Sequence, residues 1–265
     1  MRNVLRELVS LCINEADVSD VSDVHVVPGS THLLSTCTLD NGKYYLKFSD
    51  EDLFDTTDPS LQVLVEYLAY RIYQLYPSVD TPKVDLVFDK ERTRVGLASA
   101  ETKGVPGHRI TAEKLGPMMS AGIYVDVFLA NWDVSNTSNV IVSDKNVLSR
   151  IDPGGALTFR ARGGRKGEKF NKHANELKSM LDPHGRGAGY IFKFSDLNVA
   201  AHEFLSVSWN QILSTIIDVD GYVTSNLKKR SMDGLSDEWK SDVKDISQIL
   251  LGRHEVIKKQ IEGTV

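Results

Sequence analysis

The sequence predicts an α+β fold in which a small β-rich part precedes a larger, mainly helical one. Three observations carry this expectation. Short runs of alternating apolar and polar residues, separated by turn signals, fill most of residues 25–97. One strongly periodic helical stretch, Leu61 to Tyr76, interrupts them. From Leu197 onward the pattern is helical. The chain has 265 residues, 41% hydrophobic and 25% charged, enough to build a core and unlike a disordered chain. Its 36 acidic residues outnumber 31 basic ones, which excludes a chain-wide basic field, so no nucleic-acid partner is expected. Cys12 and Cys37 provide neither a disulfide framework nor a zinc set, and the seven histidines show no metal spacing. No apolar run approaches the ~20 residues of a membrane span. Met1 to Glu15 reads as an amphipathic helix without a signal core, so a soluble, cytoplasmic protein is expected.

Taken in order, His25-Val26-Val27 starts a strand, Pro28 to His32 is a loop, and Leu33 to Leu39 is a second strand. Asn41-Gly42 between apolar runs is a hairpin signal, and Lys43 to Phe48 is the third strand, with Tyr45 and Lys47 on one face. An acidic stretch, Asp50 to Asp58, leads into the helix Leu61–Tyr76, which Pro77 ends. Pro82 to Phe88 and Thr93 to Leu97 are two more strands. A hinge is expected near Ser99 to Gly104, dividing one structural unit into residues 1–103 and 104–265. Beyond it, Met118 to Trp132 reads as a buried helix, Val140–Val142 and Leu148–Ile151 as short strands, and Phe204–Ile217 and Glu238–Ile261 as helices. Trp209 and Trp239 are expected in the helix core, and Trp132 beneath the loop that follows it.

The chemistry concentrates in a few polar residues placed in apolar surroundings. Lys47 interrupts the strand Tyr44-Tyr45-Leu46-Lys47-Phe48, and Glu66 interrupts an otherwise apolar helix. Buried charges of this kind need partners. A strand lysine paired with a helix glutamate is how kinases grip nucleotide phosphates; two unrelated surface charges would leave the same pattern. Further on, Asn131-Trp132-Asp133-Val134-Ser135-Asn136-Thr137-Ser138-Asn139 forms a polar loop between a buried helix and a strand. Thirteen positions after Asn139, Asp152 ends an apolar strand and is followed by Pro153-Gly154-Gly155. Phosphoryl transfer needs a carboxylate to orient the attacking hydroxyl, and oxygen ligands for Mg²⁺. Hard oxygen donors without His or Cys suit Mg²⁺ rather than zinc.

The order strand lysine, helix glutamate, Asp…Asn loop and Asp-x-Gly resembles the protein-kinase-like fold. Glu66-Tyr67-Leu68-Ala69, then Pro82 and a strand, then Asn131-Trp132-Asp133 in place of His-Arg-Asp, is similar to its atypical branch of HipA-type serine/threonine kinases and phosphoinositide kinases. Ile249 to Arg253 resembles the last helix of that group. The resemblance implies a bilobal fold with a small antiparallel N-lobe carrying one key helix and a larger helical C-lobe. It implies ATP and Mg²⁺ as cofactors and a protein Ser/Thr hydroxyl as acceptor. Lys47 would bind the α/β-phosphates, Glu66 would hold Lys47, Asp133 would be the catalytic aspartate, and Asn139 and Asp152 the metal ligands. Two departures from the pattern stand out. Asn139 lies six positions after Asp133 rather than five, which leaves Asn136 as a rival, and Pro153 replaces the usual Phe.

Other segments stay open between two readings. Gly29-Ser30-Thr31 could cradle phosphates or be an ordinary hairpin turn. Arg160, Arg162, Arg165, Lys166 and Lys169 could engage an acidic substrate, a lipid head group or a phosphorylated side chain, or be a solvated loop. Gly163 to Gly167 and Gly185 to Gly189 lack the spacing and context of a Walker loop. A non-catalytic nucleotide- or partner-binding module, a lipid or small-molecule kinase, and an AMP transferase remain alternatives on the same fold.

Overall fold

The computed structural model describes residues 22–26, 33–39, 42–48, 59–88, 95–161, 163–180 and 193–263. The expected N-terminal helix, the loop with Gly29, Ser30 and Thr31, the acidic stretch 50–58, Arg162 and the glycine run 185–189 lie outside the described residues.

The first part is a five-stranded antiparallel sheet in the order β1-β2-β3-β5-β4, from β1 (Ser22–Val26), β2 (Leu33–Leu39), β3 (Gly42–Phe48), β4 (Val84–Phe88) and β5 (Val95–Ala100). The expected hairpin is present, with Leu39 opposite Gly42 and Leu33 opposite Phe48. Strand β3 is central and pairs with β5 on its other side, placing Lys47 opposite Leu97. Helix α1 (Pro59–Tyr73) packs against β4 and β5. It is buried on nearly every side because its other faces meet the helical part.

The larger part begins with β6 (Val105–Pro106), which joins β7 (Val140–Val142) and β8 (Leu148–Arg150) in a second antiparallel sheet. The helix expected over Met118–Trp132 is instead two helices, α2 (Ala112–Met119) and α3 (Ile123–Phe128), separated by a turn at Ser120–Gly122. A side chain at Gly122 would collide with the Arg150 guanidinium, so distant packing requires a glycine at this turn. Ala130, at φ 53°, then turns the chain out of helical geometry.

After α4 (Glu176–Met180) come α5 (Leu197–Leu205), α6 (Trp209–Lys229) and α7 (Asp233–Glu262). The expected Phe204–Ile217 helix straddles a real boundary. Ser208 accepts from the Gln211 amide while the Gln211 side chain accepts from the Ser208 amide, a reciprocal cap that starts a new helix. Trp239 is fully buried, as expected. Helix α6 also reaches back to the first sheet. Tyr222 donates to Asp85 Oδ1 at 2.8 Å, and Arg230 lies 3.9 Å over the Phe88 ring. This is an α+β architecture in which a small antiparallel sheet with one packed helix adjoins a larger, mainly helical part. No helix among the described residues is long and apolar enough to cross a membrane.

Candidate phosphoryl-transfer site

The two parts meet at a buried ionic cluster. The Lys47 ammonium lies 2.8 Å from Glu66 Oε2 on α1 and 2.7 Å from Asp152 Oδ1 beyond β8. These residues lie 19 and 105 positions from Lys47 in the chain. Glu66 is 2% exposed, whereas the Asp152 side chain is 49% exposed, so the cluster opens on one side only. Burial alone would lower the Lys47 pKa, but Asp152 and Glu66 outweigh it and the net direction is upward. Burial pushes the Glu66 carboxyl up to about 7; Lys47 opposes this and Asp152 adds to it, because two carboxylates compete for one ammonium.

Asp152 adopts a left-handed conformation, φ 50° and ψ 60°. Such a backbone costs on the order of 1–3 kcal/mol outside glycine and persists where its surroundings over-determine it. Here the Asp152 amide donates to Tyr70 Oη at 2.8 Å while its carboxylate holds Lys47. Two glycines follow for steric reasons. A Cβ on Gly154 would lie 3.0 Å from both Glu66 Oε2 and Lys47 Nζ, and one on Gly155 would lie 3.0 Å from Asp133 Cβ.

Asp133 therefore packs on the turn that Asp152 opens. Burial raises its carboxyl pKa and Asp152 raises it further, while Lys47 and Lys166 pull it down. Asn139 donates from Nδ2 to the Asp133 carbonyl at 3.3 Å, which leaves its side-chain oxygen for another partner. Asn136, the rival, uses its side-chain oxygen to accept from the Ser138 amide.

A second network holds these loops from below. The buried Asp126 carboxylate accepts from Tyr73 Oη at 2.7 Å, from Arg150 Nε at 2.8 Å and from a second Arg150 nitrogen at 2.9 Å. Asn131 in turn donates to Tyr73 Oη at 3.0 Å. The network thus fixes both the segment entering the Asp133 loop and the strand delivering Asp152. The last four carbonyls of the α3 region are satisfied by the chain beyond Asp152 and by α7. Arg253 takes those of Val127 and Phe128, the Leu157 amide takes that of Leu129, and Lys166 takes that of Ala130. Arg253 also pairs with Glu176 at 2.7 Å. Sequence reasoning missed Asp126, Arg150, Glu176 and Arg253. The signal available was an acid inside Ile123–Phe128 and an arginine between Leu148 and Ile151.

Next to Asp133 lies a cavity of about 680 Å³, lined by Trp132, Asp133, Ser135, Arg160, Lys166 and Lys169 among others. Trp132 is 42% exposed here, not packed beneath the loop as expected. The basic segment divides. Arg160, Lys166 and Lys169 face the cavity, whereas Arg165 grips both oxygens of Asp242 at 2.7 Å and stacks on Phe159.

Among the described residues no group of three His, Cys, Asp or Glu could hold a metal by itself. Of the two expected metal ligands, Asp152 opens on the cluster and Asn139 is tied to its neighbour, its backbone carbonyl accepting from the Ile151 amide at 2.9 Å; both offer hard oxygen donors, the kind Mg²⁺ takes.

No protein-family model matches the chain, and no curated protein does. Among solved structures, the chain is similar to the Helicobacter pylori proinflammatory kinase CtkA. Identity is 11%, the match covers 90% of this chain and 96% of that one, and the TM-score is 0.46.

Proposed function

We propose that this chain is an ATP- and Mg²⁺-dependent kinase of the atypical type, transferring the γ-phosphoryl group to a Ser/Thr hydroxyl of a protein. Residues 1–103 and 104–265 are its two lobes, acting as one unit. The observation that carries this reading is the convergence of Lys47 on Glu66 and Asp152 at the junction of the two parts, with Asp133 packed against the same glycine turn. Lys47, oriented by Glu66, binds the α/β-phosphates, a role that Gly29, Ser30 and Thr31 share. Asp152 and Asn139 hold Mg²⁺, which when bound neutralises charge on the phosphates. Asp133 orients the acceptor hydroxyl and takes its proton; its raised pKa suits that task. Arg160, Lys166 and Lys169 give the cavity a basic wall suited to an acceptor flanked by acidic groups. Incubation with ATP carrying a label on the γ- or the α-phosphate tests the reading. Transfer of the γ-label alone to Ser/Thr of an acidic protein is expected. Transfer of the α-label would make the chain an AMP transferase, and transfer of neither would overturn catalysis.

A further inference from the structure

Lys166 is buried, 8% exposed, and its ammonium donates to two backbone carbonyls, Ala130 O at 2.6 Å and Gly155 O at 2.7 Å. The two acceptors belong to different loops. Ala130 is the left-handed residue that releases the chain into Asn131-Trp132-Asp133. Gly155 closes the turn opened by the left-handed Asp152, and Asp133 packs against it. One side chain thus bridges the two strained turns that aim Asp133 and Asp152.

Two carbonyls do not by themselves require a charge, since a neutral amide or hydroxyl would satisfy them. Burying an ammonium without a carboxylate in hydrogen-bond contact is costly, so the charge itself calls for an explanation. Glu176, the nearest acid by its effect on Lys166, is already paired with Arg253. An ammonium carries three donors and two are used on protein, while the side chain lines the cavity beside Asp133. Its backbone is fixed as well: the Lys166 amide donates to Thr158 O at 2.8 Å, and neighbouring Arg165 is anchored on Asp242.

Building on the kinase reading, we propose that Lys166 is a positioning residue that locks the Asp133 loop onto the Asp152 turn and sets a positive charge at the edge of the acceptor cavity. Burial pulls its pKa down to about 7. Among its charged neighbours Glu176 and Asp133 push it up, whereas Arg253 and Arg160 push it down. The clamp is therefore charged below about pH 7 and neutral above it.

Wild type, Lys166→Met and Lys166→Arg are compared by turnover of Mg-ATP, amide hydrogen exchange and thermal unfolding from about pH 6 to about pH 9. In the Met variant kcat falls about 10–10²-fold at the acid end with KM for Mg-ATP unchanged, the size expected for a misplaced catalytic group. Its amides at 130–136 and 152–157 exchange faster. Wild-type kcat declines above pH 7 while thermal stability does not, a divergence that a purely structural lysine would not produce. The Arg variant recovers part of the rate and loses the alkaline decline. Wild-type kcat and exchange in a folded Met variant would overturn the proposal. If the Met variant does not fold, an alkaline decline retained by the Arg variant would overturn it. Exchange needs no turnover: absence of phosphate transfer by wild type would sink the kinase reading, while unchanged exchange in the Met variant would sink the clamp.

Discussion

Three ionic clusters are buried among the described residues, and they differ in charge balance. Arg150 with Asp126, and Arg253 with Glu176, are one-to-one pairs whose arginines also donate to backbone carbonyls. Lys47 with Glu66 and Asp152 sets two carboxylates against one ammonium, and one of the carboxylates is half exposed. The balanced pairs are closed and hold loops in place. The unbalanced cluster sets one more carboxylate at an opening than its ammonium offsets, the charge excess that the proposed metal-bound phosphates would meet. The contrast separates architecture from chemistry within one molecule.

The largest expected effect lies on the chemical side. Asp133→Ala lowers turnover of Mg-ATP by about 10²–10⁴-fold, the usual loss for a positioned acid–base group, with melting temperature unchanged. Steady-state kinetics and thermal unfolding on the same preparation check both halves. On the architectural side, Arg253→Ala strands the buried Glu176 carboxylate and takes a donor from the carbonyls of Val127, Phe128 and Asn171. Loss of one partner from a buried pair costs about 3–5 kcal/mol, readable by denaturant unfolding. Glu66→Gln should behave differently from both. With its carboxyl already pushed up to about 7, neutralising it removes a burial penalty and does not destabilise the fold, while KM for Mg-ATP rises as Lys47 loses its guide. A large destabilisation by Glu66→Gln would erase the distinction between open and closed clusters.

The smallest effect is a pH slope. Lys166 titrates near 7 in the folded protein and near 10.5 when unfolded. Between those values the unfolded chain binds more protons, so this lysine makes stability rise with pH, by at most about 1.4 kcal/mol per unit. Below about pH 7 both states are charged and its contribution is flat. Unfolding free energies of wild type minus Lys166→Met, followed across this range, should show that rise; a difference independent of pH would contradict it.

The cleft residues were legible in the sequence because each breaks an apolar segment. Lys47 lies within a strand, Glu66 within a helix, and Asp152 at a strand end before glycines. The individual strands, the hairpin joining β2 and β3, and α1 were legible as local periodicity, whereas the pairing of β3 with β5 was not. What stayed hidden depends on distant partners. Arg253 and Glu176 lie 77 positions apart in polar surroundings, and each alone looks like a surface charge. Lys166 read as one of five cations in a segment open between substrate contact and a solvated loop, and only the fold shows its ammonium buried on two carbonyls while Arg165 faces Asp242. The need for glycine at position 122 was equally invisible, since the Arg150 guanidinium that packs on it arrives from 28 positions further along.

The central claim is that the open, over-acidic cluster receives a metal-bound triphosphate. Calorimetric titration of Mg-ATP into wild type and Asp152→Ala tests it most directly. Saturable binding to wild type, weakened at least about tenfold in the folded variant, a loss of about 1.4 kcal/mol, is the predicted result. Equal affinity for both proteins, or no binding to wild type, would contradict it.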